Sequence, residues 1–168
     1  LKTVTSKEKN FDPGFFQLSR LRYEKNDLLR AQRAVQNAID LDANKAEYHS
    51  LLGKIYVKRK FWDKATESYE KSASKDSNYA VAFYNIANLS FYHASNYGEA
   101  LKNYEITLDL MPETPDYDLA DIDIPEVYYN TGFLRYRQSG DYTGSLEILN
   151  RLGQDFPDKP AYLMLAAN

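Results

Sequence analysis

The sequence predicts an all-α chain, a solenoid of antiparallel helix pairs, and three observations predict it. Four segments carry the same internal spacing around a small residue: Ala31 with Val35 and Ala38, Ala65 with Tyr69 and Ser72, Ala100 with Tyr104 and Thr107, and Ser145 with Leu149 and Leu152. Upstream of each lies an apolar or β-branched residue followed by a small one, Leu18-Ser19, Leu52-Gly53, Ile86-Ala87 and Thr131-Gly132, recurring at intervals of 34, 34 and 45 residues. The third observation is composition: fifteen Tyr and eight Phe against seven Gly and six Pro imply many helix-packing contacts, an aromatic-lined surface, or both. Self-similarity at such a period marks stacked helical units, each too small to bury its own apolar face.

Each element follows from this register. Three residues before the small residue stands a large apolar one, Leu28, Trp62, Tyr97 and Tyr142, and twelve residues after it a terminator, Ala43, Ser77, Pro112 and Pro157. Helix pairs are therefore expected over 12–43, 46–77, 80–111 and 125–156. Proline at 112 and 157 cannot continue a helix. Gly53 and Gly132 fall inside helices, where Gly costs roughly 0.5–1 kcal/mol relative to Ala, so both need a packing reason, and close helix contact supplies one. The interval from marker pair to small residue is 12 in the first two units (Ser19 to Ala31, Gly53 to Ala65) and 13 in the last two (Ala87 to Ala100, Gly132 to Ser145). A change of superhelix curvature near the middle is expected from it. The organisation read this way is a lead-in over 1–11, repeats over 12–45, 46–79 and 80–112, an acidic insertion over 113–124, a fourth repeat over 125–157, and a capping helix or truncated fifth repeat over 158–168. Pro160 can open that last helix at its first turn, and Leu165-Ala166 lies 34 residues after Thr131-Gly132.

This pattern resembles the tetratricopeptide repeat, with an aromatic, a Leu-Gly pair and a Tyr on one helix and an Ala, an aromatic and a closing Pro on the next. The second repeat matches best, through Leu52-Gly53, Tyr56, Ala65 and Tyr69; Arg22 and Thr131 depart from the pattern in the first and fourth. The resemblance covers residues 12–157. It implies a right-handed superhelix whose first helices line a concave face.

Composition narrows the chemistry. A net charge of −3 gives no global basic field, so nucleic acid is not an expected partner. The absence of Cys removes disulfides, thiolate metal sites and a Cys nucleophile. No apolar run approaches the length of a membrane span, and LKTVTSKEKN carries no signal-like stretch, so a soluble domain without direct membrane insertion is expected, in either cytoplasm or periplasm. A chain that starts at Leu1 rather than Met is expected to have lost an upstream portion. His49 and His93 stand at ordinary helix positions and read as structural, and Asn88-Leu89-Ser90 reads as an incidental acceptor pattern inside a helix. The stretch 112–126 carries Glu113, Asp116, Asp118, Asp121, Asp123 and Glu126 with no basic residue; it lacks the Gly and terminal Glu of a calcium loop and reads as a solvated loop, with folding toward a basic part of the superhelix or of a partner as the alternative. No catalytic residue, metal or cofactor is expected.

Function is then expected on the concave face that the resemblance implies. Its inward positions include Phe16, Arg20 and Tyr23, then Lys54 and Lys58, then Tyr84, Asn85, Asn88 and Phe91, then Tyr129, Asn130, Phe133 and Arg137, with Ser50, Tyr92 and Glu126 among them. Tyr and Arg anchor interfaces, and Asn can pin the backbone of an extended peptide. For Phe16, Phe91 and Phe133, packing between repeats competes evenly with binding; for the three Asn residues binding is favoured, because apolar packing does not want an amide. The carboxylate clamp of chaperone-binding relatives is rejected, since only Asn85 occupies one of its places. The expected role is a non-enzymatic scaffold binding a partner peptide or helix. The alternative is a structural subunit that self-associates through its terminal repeats.

Overall fold

The computed structural model describes residues 12–158. The lead-in over 1–11 and residues 159–168 of the expected capping segment, with Pro160 and Leu165-Ala166, lie outside the described residues. The described residues form two compact units, unit 1 and unit 2, that divide between Ala82 and Phe83. Among the described residues every regular element is helical.

Unit 1 holds α1 (Asp12–Glu24), α2 (Leu28–Leu41), α3 (Ala46–Lys58) and α4 (Trp62–Lys75). Three-residue turns join α1 to α2 and α3 to α4, so each pair runs antiparallel; α2 also packs on α3. Ala31, Val35, Ala38, Tyr48, Leu51, Leu52 and Ile55 form its core, with Phe15, Phe16 and Tyr56 packed against it. The small-residue register marks where backbones approach. Ser19 donates through Oγ to the Ala31 carbonyl at 2.8 Å, and a Cβ on Gly53 would meet the Tyr69 ring at 2.6 Å. Tyr69 is 1% exposed, so the ring cannot step aside. That contact is the packing reason Gly53 requires. His49 is buried with Nε2 2.9 Å from the Ala43 carbonyl, and His93 is exposed.

α5 (Ala80–Tyr92) begins in unit 1 with the fully buried Ala80, Val81 and Ala82 and continues into unit 2. Unit 2 adds α6 (Tyr97–Leu110), a 3-10 turn (Met111–Glu113), the one-turn α7 (Asp116–Leu119), α8 (Ile124–Leu134) and α9 (Tyr142–Asp155). α8 runs on through a π-helical turn, Arg135–Ser139. Ser145 Oγ donates to the Gly132 carbonyl at 2.8 Å, the same closest approach as Ser19 with Ala31 but with donor and acceptor exchanged between the helices. Gly132 faces Leu149, which a Cβ would meet at 2.7 Å. The insertion exposes Glu113, Asp116, Asp121 and Asp123 to solvent, as its charge predicts, but it is not a plain loop: Ile122 is 6% exposed and anchors it, while Asp116 and Asp118 lie in the short helix α7. Acidic side chains favour a helix N-terminus, which the expectation overlooked.

The turn inside each pair is built alike. The residue before the second helix's N-cap is left-handed: Asn26 (φ 59°), Lys60 (61°), Ser95 (51°) and Gly140 (62°). The N-cap amide then bonds back to the first helix. In unit 1 that bond spans five residues, Asp27 to Arg22 at 2.8 Å and Phe61 to Tyr56 at 3.0 Å. In unit 2 it spans six, Asn96 to Ser90 at 2.8 Å and Asp141 to Arg135 at 3.2 Å. The extra residue counted in the sequence interval is accommodated in these wider turns.

Candidate functional site

In unit 1 the first helices, α1 and α3, place Phe16 half-buried with its ring centroid 4.7 Å from that of Tyr48. The Tyr48 hydroxyl donates to Asp12 Oδ2 at 3.1 Å, and burial first, then that bond, pushes its pKa well above the ordinary phenol value. Lys58 extends its ammonium to 3.9 Å over the Tyr23 ring. Arg20 and Lys58 are exposed and Lys54 half-buried. Ser50 is 1% exposed, and its hydroxyl finds no hydrogen-bond partner among the described residues. Two of the nominated residues, Tyr23 and Lys58, are thus in direct contact.

In unit 2 three of the nominated residues, Tyr84, Asn88 and Asn130, join Tyr92, Tyr104 and Glu126 in one polar network. Tyr84 donates to Glu126 Oε2 at 2.6 Å, Tyr92 donates to Glu126 Oε1 at 2.8 Å, and Asn88 Nδ2 lies 3.5 Å from Oε2. Asn88 Oδ1 accepts from the Tyr104 hydroxyl, which itself accepts from Asn130 Nδ2 at 2.9 Å; the same Asn130 amide reaches Tyr92 at 3.4 Å. Three helices supply these groups: α5, α6 and α8. Glu126 is held by its place in the first turn of α8, where Asp123 caps the helix by accepting from the Glu126 amide at 3.1 Å. Burial drives the pKa of Tyr84 and Tyr104 far above the ordinary value, so both stay protonated and serve as donors. Asn130 is 2% exposed and Tyr84 is buried, so both face this network, whereas Asn85 and Asn88 are half-buried.

Beside the network the aromatic residues form a continuous cluster. Phe91 is its hub, with ring centroids 4.8 Å from Tyr92, 5.6 Å from Tyr97 and 6.4 Å from Phe133; Phe133 stacks on Tyr129 at 6.2 Å and 17°. Tyr92 (54%), Tyr97 (39%) and Phe133 (37%) are exposed, and Phe91 and Tyr129 are half-buried. Arg137 is exposed in the π-helical turn, while Arg135 pairs with Glu105 at 2.7 Å.

Sequence reasoning gave no role to Tyr104, because its position reads as packing, and placed Glu126 on the inward face without a function. One signal was available: across α5 and α8 Glu126 is the single charged residue. It also missed a cleft of about 590 Å³ in unit 2, floored by Leu108, Ile124, Tyr128, Ile148 and Phe156 beside the insertion. Arg151 stands over the Tyr128 ring there at 5.6 Å. Among the described residues no group of three or more His, Asp or Glu could hold a metal ion, and no helix is long and apolar enough to cross a membrane.

Helix pairs in which a small residue of one helix meets the backbone or ring of the next, closed by a left-handed turn, define a tetratricopeptide-type helical repeat. Solved structures agree. MamA superposes with a TM-score of 0.71 at 17% identity, over 96% of this chain and 87% of MamA. PcrH, solved in complex with the chaperone binding region of PopD, gives 0.65 at 18% over 75% of this chain and 92% of its own. The tetratricopeptide domain of Arabidopsis OM64 gives 0.60 at 15% over 68% and 93%. Neither a family model nor the sequence of a curated protein matches the chain.

Proposed function

We propose that the chain is a non-enzymatic protein-interaction scaffold that captures a peptide segment or helix of a partner on the faces built from the first helices of its pairs. The observation that carries this reading is the unit 2 face, where the exposed rings of Tyr92 and Phe133 are fixed before any partner arrives. Tyr92 is tethered through its hydroxyl to Glu126, and Phe133 is wedged between Phe91 and Tyr129. Rings already held in place give up little rotamer entropy on binding, which is what makes aromatic residues efficient anchors. PcrH supports the reading from outside, as a protein of the same fold that holds a segment of another protein.

The test is selection of a displayed random peptide library on the purified chain, followed by hydrogen-exchange mapping of the winners. Protection of amides in α5 and α8, lost with Phe133→Ala and Tyr129→Ala at unchanged helicity, is expected. Peptides that bind undiminished to the double variant would refute the reading.

A further inference from the structure

We infer that the unit 2 face recognises a cationic side chain, a Lys or Arg of the bound peptide, with Glu126 as its counter-ion and Tyr92 and Phe133 as its aromatic walls. The inference rests on the reading that this face binds a peptide and adds the chemistry that the peptide must carry.

Three observations lead to it. Glu126 is the single charge on α5 and α8, set among uncharged aromatic and amide groups. Its hydrogen-bond partners among the described residues are neutral: two tyrosine hydroxyls and one amide. A carboxylate keeps about four acceptor sites, and among the described residues Oε1 has only the Tyr92 hydroxyl on it, so capacity for a further donor remains on that oxygen of a residue that is half-buried as a whole. A charge in such a place has lost part of its hydration without gaining an opposite charge, and a partner's cation restores that balance.

The rings complete the arrangement. An ammonium or guanidinium is attracted to an aromatic face within about 6 Å of its centroid. Tyr92 donates its hydroxyl to the same Oε1 that has capacity left and exposes 54% of its surface, so its ring borders the approach to that oxygen. Phe133 and Tyr92 both pack edge-on with Phe91, at centroid distances of 6.4 Å and 4.8 Å. The chain already uses this contact within itself, with Lys58 over Tyr23 and Arg151 over Tyr128. The segment leading into α8 is acidic as well: Asp116, Asp118, Asp121 and Asp123 precede it in a stretch without a basic residue, which favours encounter with a basic segment.

The experiment uses peptides taken from the displayed library. Glu126→Gln removes the charge while keeping an acceptor oxygen for one of the two tyrosine hydroxyls and offering an amide N–H to the other, which can accept it. Winners are expected to share a Lys or Arg, and Glu126→Gln to weaken them roughly tenfold, with a shallower salt dependence. The same peptides with that residue replaced by Met should bind the wild type and Glu126→Gln equally. Phe133→Leu, which keeps an apolar side chain but no ring, should weaken the cationic peptide by a few-fold and the Met peptide less. Equal losses for both peptides, or winners enriched in acidic residues, would overturn the inference. Winners that protect α5 and α8 but share no cation would overturn it and leave the binding face standing; winners that leave both helices unprotected would overturn the binding face as well.

Discussion

The two units are made from the same helix pair and present different chemistry on their first helices. In unit 1, α1 and α3 carry Arg20, Arg22, Lys54 and Lys58 against Asp12, Glu24 and Glu47. In unit 2, α5 and α8 carry Glu126 alone. The interiors differ in step. Unit 1 closes over a core of aliphatic side chains and aromatic rings, and its Tyr48 hydroxyl reaches one carboxylate; unit 2 threads two Asn amides and three tyrosine hydroxyls through its helix contacts to Glu126. A repeat register therefore dictates where helices touch and leaves free what they show to a partner. Buried polar networks are stable only when every member is satisfied, so unit 2 depends on individual hydroxyls in a way unit 1 does not.

The largest expected effect breaks that network. Tyr104→Ala should lower the unfolding free energy by about 3–5 kcal/mol, the usual result of deleting a buried aromatic ring, because Tyr104 is fully buried and links Asn88 to Asn130. Tyr104→Phe separates hydroxyl from ring: leaving two amides short of a partner should cost roughly 1–3 kcal/mol. Urea titration followed by circular dichroism measures both. A Phe variant as stable as the wild type would mean that the network does not hold unit 2 together.

Alkali probes the same groups. Burial raises the folded-state pKa of Tyr84 and Tyr104 above the value of about 10 that an unfolded chain shows, so the folded chain binds more protons than the unfolded chain at higher pH. The stabilisation is fully present below pH 10 and is lost as the pH climbs above it. Tyr48 is the corresponding group of unit 1. The unfolding free energy should fall as the pH passes about 10, and Tyr104→Phe should fall less steeply, having one such group fewer. Parallel pH profiles for the two proteins would argue against Tyr104 as a source of the slope.

What the sequence made legible is the part carried by short-range spacing. Small residues at Ser19, Gly53, Gly132 and Ser145 could be read as helix contacts because nothing larger fits there, and the interval of 13 in place of 12 surfaces as the six-residue turn of unit 2. The network was not legible. Asn88 and Asn130 drew attention as amides that apolar packing does not want, but their partner is a hydroxyl at the end of Tyr104, from a helix whose spacing says only that a large residue belongs there. Whether that hydroxyl meets two amides depends on side-chain directions, which periodicity does not encode. The insertion failed differently: its charge concealed Ile122, the apolar residue that fastens it to the unit.

The smaller effects test the shared framework. Gly53→Ala drives a methyl into the Tyr69 ring, which has nowhere to go, and overpacking of this kind costs about 1–3 kcal/mol, beyond the helix propensity that alanine gains. Gly132→Ala meets Leu149, a half-buried aliphatic chain that can change rotamer, so its effect should be well below that of Gly53→Ala. Equal losses would show that both contacts are rigid. The left-handed turn residues should respond least. Gly140 adopts φ 62° with open space around its Cβ position, so Gly140→Ala meets no clash with a neighbour but holds a Cβ-bearing residue in the left-handed region, a strain of roughly 1 kcal/mol. Lys60 holds the same conformation in unit 1 while already bearing the side chain, so Lys60→Gly should relieve strain of similar size, offset in part by the greater freedom of glycine in the unfolded chain. Opposite signs in the two thermal midpoints are expected. A Lys60→Gly variant less stable than the wild type would mean that the lysine side chain holds its turn more firmly than the strain weakens it.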